Sequence, residues 1–150
     1  MALNVVQIAR EISALAVDGV HIADLSQIPD NALVRDLPLI YPKPDGYISD
    51  LNVRIDSFGS AQAKKTVFYT LNYRYLHSPV GAGRGLFDVY EDLVAKAALF
   101  LDAIIANDAL AGQIDLQAVE IPNFSAGVAD PSGNQFHGAD LALTVMEFVN

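Results

Sequence analysis

The strongest pattern along the chain is a long stretch in which apolar residues recur every three or four positions. This stretch runs from Leu86 to Asn107, and its recurring apolar residues are Leu86, Tyr90, Leu93, Val94, Ala97, Leu101, Ile104 and Ile105. The spacing predicts an α-helix with one apolar face. Asp88, Glu91 and Asp92 crowd its first turns, where the positive end of the helix dipole favours carboxylates.

The second half of this helix is apolar nearly all round. Leu99, Phe100 and Ala103 point away from the main apolar face. One covered face does not account for them, so we expect either another helix or a second subunit to cover that side. Leu99 and Phe100 are therefore candidate residues of an oligomer interface.

A second clear pattern is the strict alternation between Thr66 and Leu76, which predicts a β-strand. One side of this strand carries Val67, Tyr69, Leu71, Tyr73 and Tyr75. Burial in the core is the commoner role for such a face, but phenol rings also suit contact surfaces because the ring packs while the hydroxyl stays hydrated. Tyr69, Tyr73 and Tyr75 are thus further interface candidates.

Weaker patterns complete the order of elements. A first helix is predicted over 3–16, ended by the Asp18-Gly19 turn. The segment 51–56 alternates as a strand with one exposed face, and the closing strand 137–149 is apolar on both faces. The closing strand should be central or covered by a partner, which makes Met146 and Phe148 interface candidates. Other predicted strands are 20–23, 37–41 and 114–121, and the predicted connections are 26–31, 59–65, 78–85 and 122–135.

This order predicts an α+β fold with a mixed, mostly antiparallel β-sheet. Short connections favour antiparallel neighbours, so a short N-terminal helix and one long helix pack on one face of the sheet. The length of 150 residues fits a single domain over 1–150.

Composition excludes several classes of protein. Apolar residues make up 52% of the chain, which excludes a disordered protein, and the absence of cysteine excludes thiol chemistry. The net charge is −9, and no Lys or Arg follows Lys96. Sequence-specific binding of nucleic acid needs clustered basic residues, so we do not expect it. The uninterrupted apolar run of the long helix is too short for a membrane span.

One glycine-rich segment, Gly81 to Gly85, suggests nucleotide binding because it follows a strand and opens a helix. However, Leu86 stands where the dinucleotide fingerprint needs glycine, and the acidic first turns of the helix would repel a phosphate. His21, His77 and His137 lack metal-site spacing, and Ser132 lacks the setting of a nucleophile elbow. We therefore predict no catalytic residue, metal or cofactor, and a protein that is not an enzyme. A small nucleotide-binding enzyme using Gly81–Gly85 is the less favoured alternative.

The chain resembles the tail terminator proteins, also called tail completion or neck proteins, of long-tailed bacteriophages. The resemblance rests on the N-terminal helix, the LPLIYPKPDG segment, the long acidic-then-apolar helix and the closing GNQFHGADLALTVMEF strand. It covers most of the chain as a pattern of elements, without a diagnostic short motif, and the Gly81–Gly85 loop has no counterpart in it.

The resemblance implies a structural virion protein that joins tail to head. It implies a homo-oligomeric ring, with a hexamer suggested, that contacts the tail tube protein and a head-completion protein. Such a ring would be assembled in the host cytoplasm, and DNA would pass through it. The acidity of the chain suits that passage, because acidic walls repel phosphates. Another neck or tail subunit, either a head-closure or a tube protein, is the alternative within the virion.

Overall fold

A computed structural model describes residues 5–23, 37–55, 65–81, 86–106, 116–129 and 135–149 of the chain. The two helices of this part are α1 (Val5–Ser13) and α2 (Leu86–Ile105). The strands are β1 (His21–Ile22), β2 (Leu39–Pro42), β3 (Ile48–Ile55), β4 (Lys65–Pro79), β5 (Leu116–Ala129) and β6 (Phe136–Val149).

The strands form one six-stranded sheet in the order β1-β2-β4-β6-β5, with β3 also paired to β4. Only the short β1–β2 pair among the described strands is parallel, and the others are antiparallel. The predicted α+β class with a mixed, mostly antiparallel sheet is therefore confirmed. The prediction that the closing strand is central is also confirmed, because β6 lies between β4 and β5.

Strands β2 and β3 lie end to end along the same edge of β4. Pro42 pairs with Tyr73 and Ile48 pairs with Leu71, so the five residues 43–47 lie opposite the single residue Asn72. The Asn72 side chain holds this outward loop, because its Nδ2 donates to the Gly46 carbonyl oxygen at 2.9 Å. Gly46 has a φ of 87°, a left-handed backbone conformation that glycine adopts without strain.

The core lies between the sheet and the helices. The alternate residues of β4 that were predicted to share one side are all buried against α2 and α1. The buried face of α2 differs from the predicted one, since Val94 is 49% exposed and Phe100 is fully buried. Helix α2 is thus turned about its axis relative to the prediction, and its buried residues are Val89, Leu93, Ala97, Phe100 and Ile104.

Two predicted strand ends and one predicted buried face are wrong. Strand β4 continues to Pro79, where a loop was predicted from Ser78. Strand β5 runs to Ala129, although a loop was predicted from Pro122; the register shifts between Glu120 and Asn123, and pairing with β6 resumes beyond the proline. Strand β3 is exposed on both faces, where one buried face was predicted. Residues 26–31, 59–64, 82–85 and 130–134 of the predicted connections, and residues 114–115 of the predicted strand 114–121, lie outside the described part of the chain.

Gly138 permits the close approach of β6 to β4 beside a β-bulge. A Cβ atom at Gly138 would overlap the backbone carbonyl oxygen of Tyr75, whereas a Cβ atom at Gly127 on β5 meets nothing within 4 Å. We expect Gly138→Ala to lower the free energy of unfolding by about 1–3 kcal/mol, because the two strands must separate to relieve the overlap. Urea denaturation measures this, with Gly127→Ala as the matched control. Equal effects of the two substitutions would contradict the close approach.

Candidate assembly surface

Strand β3 exposes apolar side chains that a sheet strand normally buries. Ile48, Val53 and Ile55 are 46%, 40% and 49% exposed, and Leu51 is 55% exposed. Ile48, Val53 and Ile55 pair with β4 residues on the helix-covered face of the sheet, so they belong to that same face. Helix α2 contacts β4 and β6. The helix layer therefore leaves the β3 end of this face bare.

The backbone of β3 also has a free edge among the described residues. The Asn72 amide donates to the Tyr47 carbonyl oxygen at 2.8 Å. In an antiparallel ladder, this hydrogen bond makes Ile48 and Leu71 a non-hydrogen-bonded pair, so the N–H and C=O groups of Ile48 point away from β4. The β4 partners of Val53 and Ile55 are Val67 and Lys65, which lie an even number of residues from Leu71, the partner of Ile48. Backbone groups two residues apart on a strand point to the same side. The N–H and C=O groups of Val53 and Ile55 therefore point outward as well.

Strand β5 forms the opposite edge of the sheet. Among the described residues it pairs only with β6, along nearly its whole length. Both its neighbour β6 and the next strand β4 are joined by antiparallel pairing, so β5 runs parallel to β4 and antiparallel to β3. On the other side of the described sheet, the outermost strands are β1 beyond β2 and β3 beside β4, and both run in the direction opposite to β5.

A second apolar surface lies on the outside of α2. Val94 and Leu99 are 49% and 48% exposed. Their five-residue spacing places them about 140° apart around the helix axis, and the exposed Ala95 and Ala98 lie between them. This exposure keeps Leu99 as an interface candidate. Met146 is half-buried on the sheet face opposite the helices, and the side chain of Phe148 lies outside the described residues.

The other interface candidates are interior residues. Phe100 is fully buried, and its ring lies 6.2 Å from that of Tyr73. Tyr69, Tyr73 and Tyr75 are each at most 1% exposed. These four side chains are covered within a single chain, so the structure assigns them to the core and contradicts their proposed place in an interface.

A polar cluster joins β4 to α2. His77 is 4% exposed, and its Nε2 lies 2.6 Å from Asp92 Oδ2. Lys96 Nζ donates to the same oxygen at 2.6 Å, and Ser78 Oγ lies 3.1 Å from His77 Nδ1. A register shift between Leu76 and Ser78 places this histidine at a bulge at the end of the long ladder.

This cluster contains the residue types of a Ser–His–Asp triad, and it also joins the strand to the helix. Asp92 is shared with Lys96, which neutralises the carboxylate, and the histidine is buried between the strand and the helix. Sequence reasoning missed the contact because Asp92 was attributed to the helix dipole. Two signals indicate it: His77 continues the inward-facing alternation of β4, and Asp92 and Lys96 are four residues apart on one helix.

A carboxylate and two tyrosine hydroxyls are also buried on the helix-covered face. Glu147 is fully buried and accepts a hydrogen bond from the Tyr69 hydroxyl. Burial, reinforced by the adjacent carboxylate, raises the pKa of Tyr69 above its ordinary value. Burial and the charge of Asp92 likewise raise the pKa of Tyr75, whose hydroxyl has no hydrogen-bond partner among the described residues. Both phenols are therefore un-ionised core groups at neutral pH.

The candidates for ligand chemistry do not converge. No cluster of three or more His, Asp or Glu side chains suited to a metal occurs in the described ranges. His137 lies beside Tyr90 (Tyr90 hydroxyl to His137 Nδ1 3.4 Å), while His21 is on β1. Of the glycine-rich segment, only Gly81 is described. Neither described helix combines the length and the apolar character needed to cross a bilayer.

Comparison with known proteins adds no assignment. No protein-family model matches the chain, and no curated protein matches it significantly. The features that bear on function are therefore the exposed apolar surfaces and the free edges of the sheet.

The Asp92 contacts should stabilise the fold in a pH-dependent way. Hydrogen bonds from Lys96 and His77 hold the pKa of Asp92 below its ordinary value of 3.8. A lowered carboxyl pKa contributes stability that is complete above the ordinary value and is lost as the pH falls through the folded-state pKa. We expect Asp92→Asn to lower the free energy of unfolding at pH 7 by about 1 kcal/mol, a modest value because the Asp92 side chain is 38% exposed.

The measurement is urea denaturation of wild type and variant between pH 7 and pH 3. The difference between them should shrink below about pH 4. Asp102→Asn, at an exposed position of the same helix, is the matched control. A difference that does not depend on pH, or an equal loss in the control, would count against the contact.

Proposed function

We propose that the chain is a structural virion subunit of a long-tailed bacteriophage, a tail terminator that forms a ring at the head-proximal end of the tail tube and joins tail to head. In this role it binds copies of itself, the tail tube protein and a head-completion protein. The observation that carries the proposal is the presence of two separate exposed apolar surfaces, one on β3 and one on the outside of α2.

Two different surfaces on one subunit suit a ring. A closed ring is built by heterologous contacts, in which one surface of a subunit meets a different surface of the next. The β3 surface contains Ile48, Val53 and Ile55, and the α2 surface contains Val94 and Leu99. They lie on different elements of the fold, so each can contact a different neighbour. A monomeric protein normally covers such groups or scatters them singly.

The charge of the chain supports the same role. The net charge is −9, and the residues after Lys96 contain no Lys or Arg. A ring through which DNA passes must not bind the phosphate backbone, because each neutralised phosphate would strengthen binding and slow passage. An acidic subunit meets that requirement.

Another neck or tail subunit is the competing proposal within the virion. A tube protein polymerises into long tubes and a head-closure protein binds the portal side, whereas a terminator stops at one ring on the end of a tube. Electron microscopy of the chain mixed with tubes of the tail protein encoded beside it distinguishes these roles. Rings only on tube ends support a terminator; indefinite tubes of the chain itself would refute that role.

Association through α2 should depend on its exposed apolar residues. We expect Leu99→Glu combined with Val94→Glu to prevent ring formation, because the new carboxylates would have to be buried without partners. The measurement is native mass spectrometry of the chain alone and with tail tubes. Val6→Glu is the matched control, since Val6 is 60% exposed and lies on α1, outside both surfaces.

The control should assemble like the wild type, and thermal unfolding should show that the double variant is folded. Rings that persist in the folded double variant would remove the α2 surface from the assembly. A wild-type chain that stays monomeric both alone and on tail tubes would contradict the ring itself.

A further inference from the structure

We infer that the free edge of β3 in one copy pairs with the free edge of β5 in a second copy, so that neighbouring sheets join into one antiparallel sheet. This inference rests on the proposed ring and names the contact that builds it. It is argued from the backbone directions, the exposed side chains and the position of the helix layer.

Strand direction is the first argument. Strand β5 runs antiparallel to β3 within one chain. A copy placed beside β3 by rotation about an axis inclined to the strands keeps the sense of its strands and keeps its helices on the same face. The inclination shifts the copy along the strands, so that its β5 clears β1, which lies beyond β2 at the level of Leu76. Its β5 therefore meets β3 in antiparallel orientation, and each copy again exposes a β3 edge for the next. This is a heterologous contact, and it closes into a ring when the rotation closes.

The groups available on β3 are the second argument. Ile48, Val53 and Ile55 direct their N–H and C=O groups away from β4, as derived above from the pairing pattern. An exposed strand edge with such groups is a template for strand addition. Soluble proteins often block such edges with charged side chains, proline or a bulge. On β5, Pro122 lies at the register shift between Glu120 and Asn123. Strand β3 contains neither lysine nor proline, and its charged residues are Asp50 and Arg54. Its bulge at Asp50 lies before the outward-facing residues Val53 and Ile55.

The bare apolar row on β3 is the third argument. Ile48, Val53 and Ile55 are 40–49% exposed on the helix-covered face. A strand added from another protein without a helix layer would leave these three side chains exposed to solvent. A second copy adds β5 next to this row, and its own helix layer, which contacts β6 and β4, follows on that same face. A second copy therefore fits both the edge and the row of side chains.

Blocking the edge tests the inference. Val53→Pro removes an outward N–H without removing a hydrogen bond to β4, which is a tolerated place for proline in a sheet. Loss of one interstrand hydrogen bond lowers the association constant by up to about tenfold, and a lysine side chain introduced at the edge disfavours strand pairing as well. We expect Val53→Pro and Val53→Lys each to raise the concentration for half-assembly about tenfold or more. Val53→Thr, which keeps the β-branched shape and the amide, should assemble like the wild type.

Disulfide trapping identifies the partner edge, and the wild-type chain contains no cysteine to interfere. Val53→Cys in one protein is mixed with single cysteines placed in turn along Leu116–Ala129 in another, and native mass spectrometry detects oxidised pairs. We expect mixed dimers for a few neighbouring β5 positions. A Val53→Cys homodimer in place of mixed dimers would indicate β3–β3 pairing and overturn the inference.

The outcomes separate this inference from the proposed ring. Wild-type rings that persist in folded Val53→Pro and Val53→Lys variants, without any β3–β5 cross-link, would overturn the edge contact and leave the ring intact. A wild-type chain that forms no ring, alone or with tail tubes, would overturn both. Thermal unfolding of each variant establishes that a loss of assembly is not a loss of fold.

Discussion

The fold depends on burying one face of two long strands. Strands β4 and β6 are paired along their length, with Lys65 opposite Val149 at one end and Pro79 opposite Phe136 at the other. Their inward-facing residues pack against α2 and α1. Full burial of a large apolar side chain stabilises a protein by about 1.5–3 kcal/mol, so this layer outweighs any single polar contact in the chain. This layer contains the buried rings of Tyr69, Tyr73 and Phe100, and no other layer in the described chain removes so much apolar surface from water.

The same layer explains why β3 is bare. Strand β4 carries two strands in succession on one edge, β2 along its second half and β3 along its first. Helix α2 contacts β4 and β6, and Ile48, Val53 and Ile55 stay exposed beyond it. A sheet wider than its helix layer must leave apolar residues wet or share them with another molecule. That constraint links the fold to assembly.

Polar groups within the layer follow a different logic. Asp92 joins His77 and Lys96, and Glu147 accepts from Tyr69. A buried polar group costs free energy unless it is hydrogen-bonded, so these contacts fix how α2 and β6 sit on β4 more than they add stability.

The sequence by itself determined the periodic elements. Alternation located β4, a three-to-four-residue spacing located α2, and the two apolar faces of 137–149 indicated a strand that is either central or covered by a partner. These patterns are local, because a residue's direction along a strand or helix follows from its neighbours in the chain. The tertiary structure decided which apolar residues are covered. Phe100 is buried while Val94 is exposed, and both faces of β3 are exposed to solvent despite the alternation of its apolar and polar residues.

Coverage is set by what packs over a position from distant parts of the chain, which periodicity does not encode. For the same reason β5 continues past Pro122: its pairing with β6 on the other side of the register shift outweighs the local tendency of that segment to form a loop. The candidate surface was thus predictable as excess apolar character, with Leu99 among its residues. Its main strand, β3, emerged only when the extent of the helix layer was known.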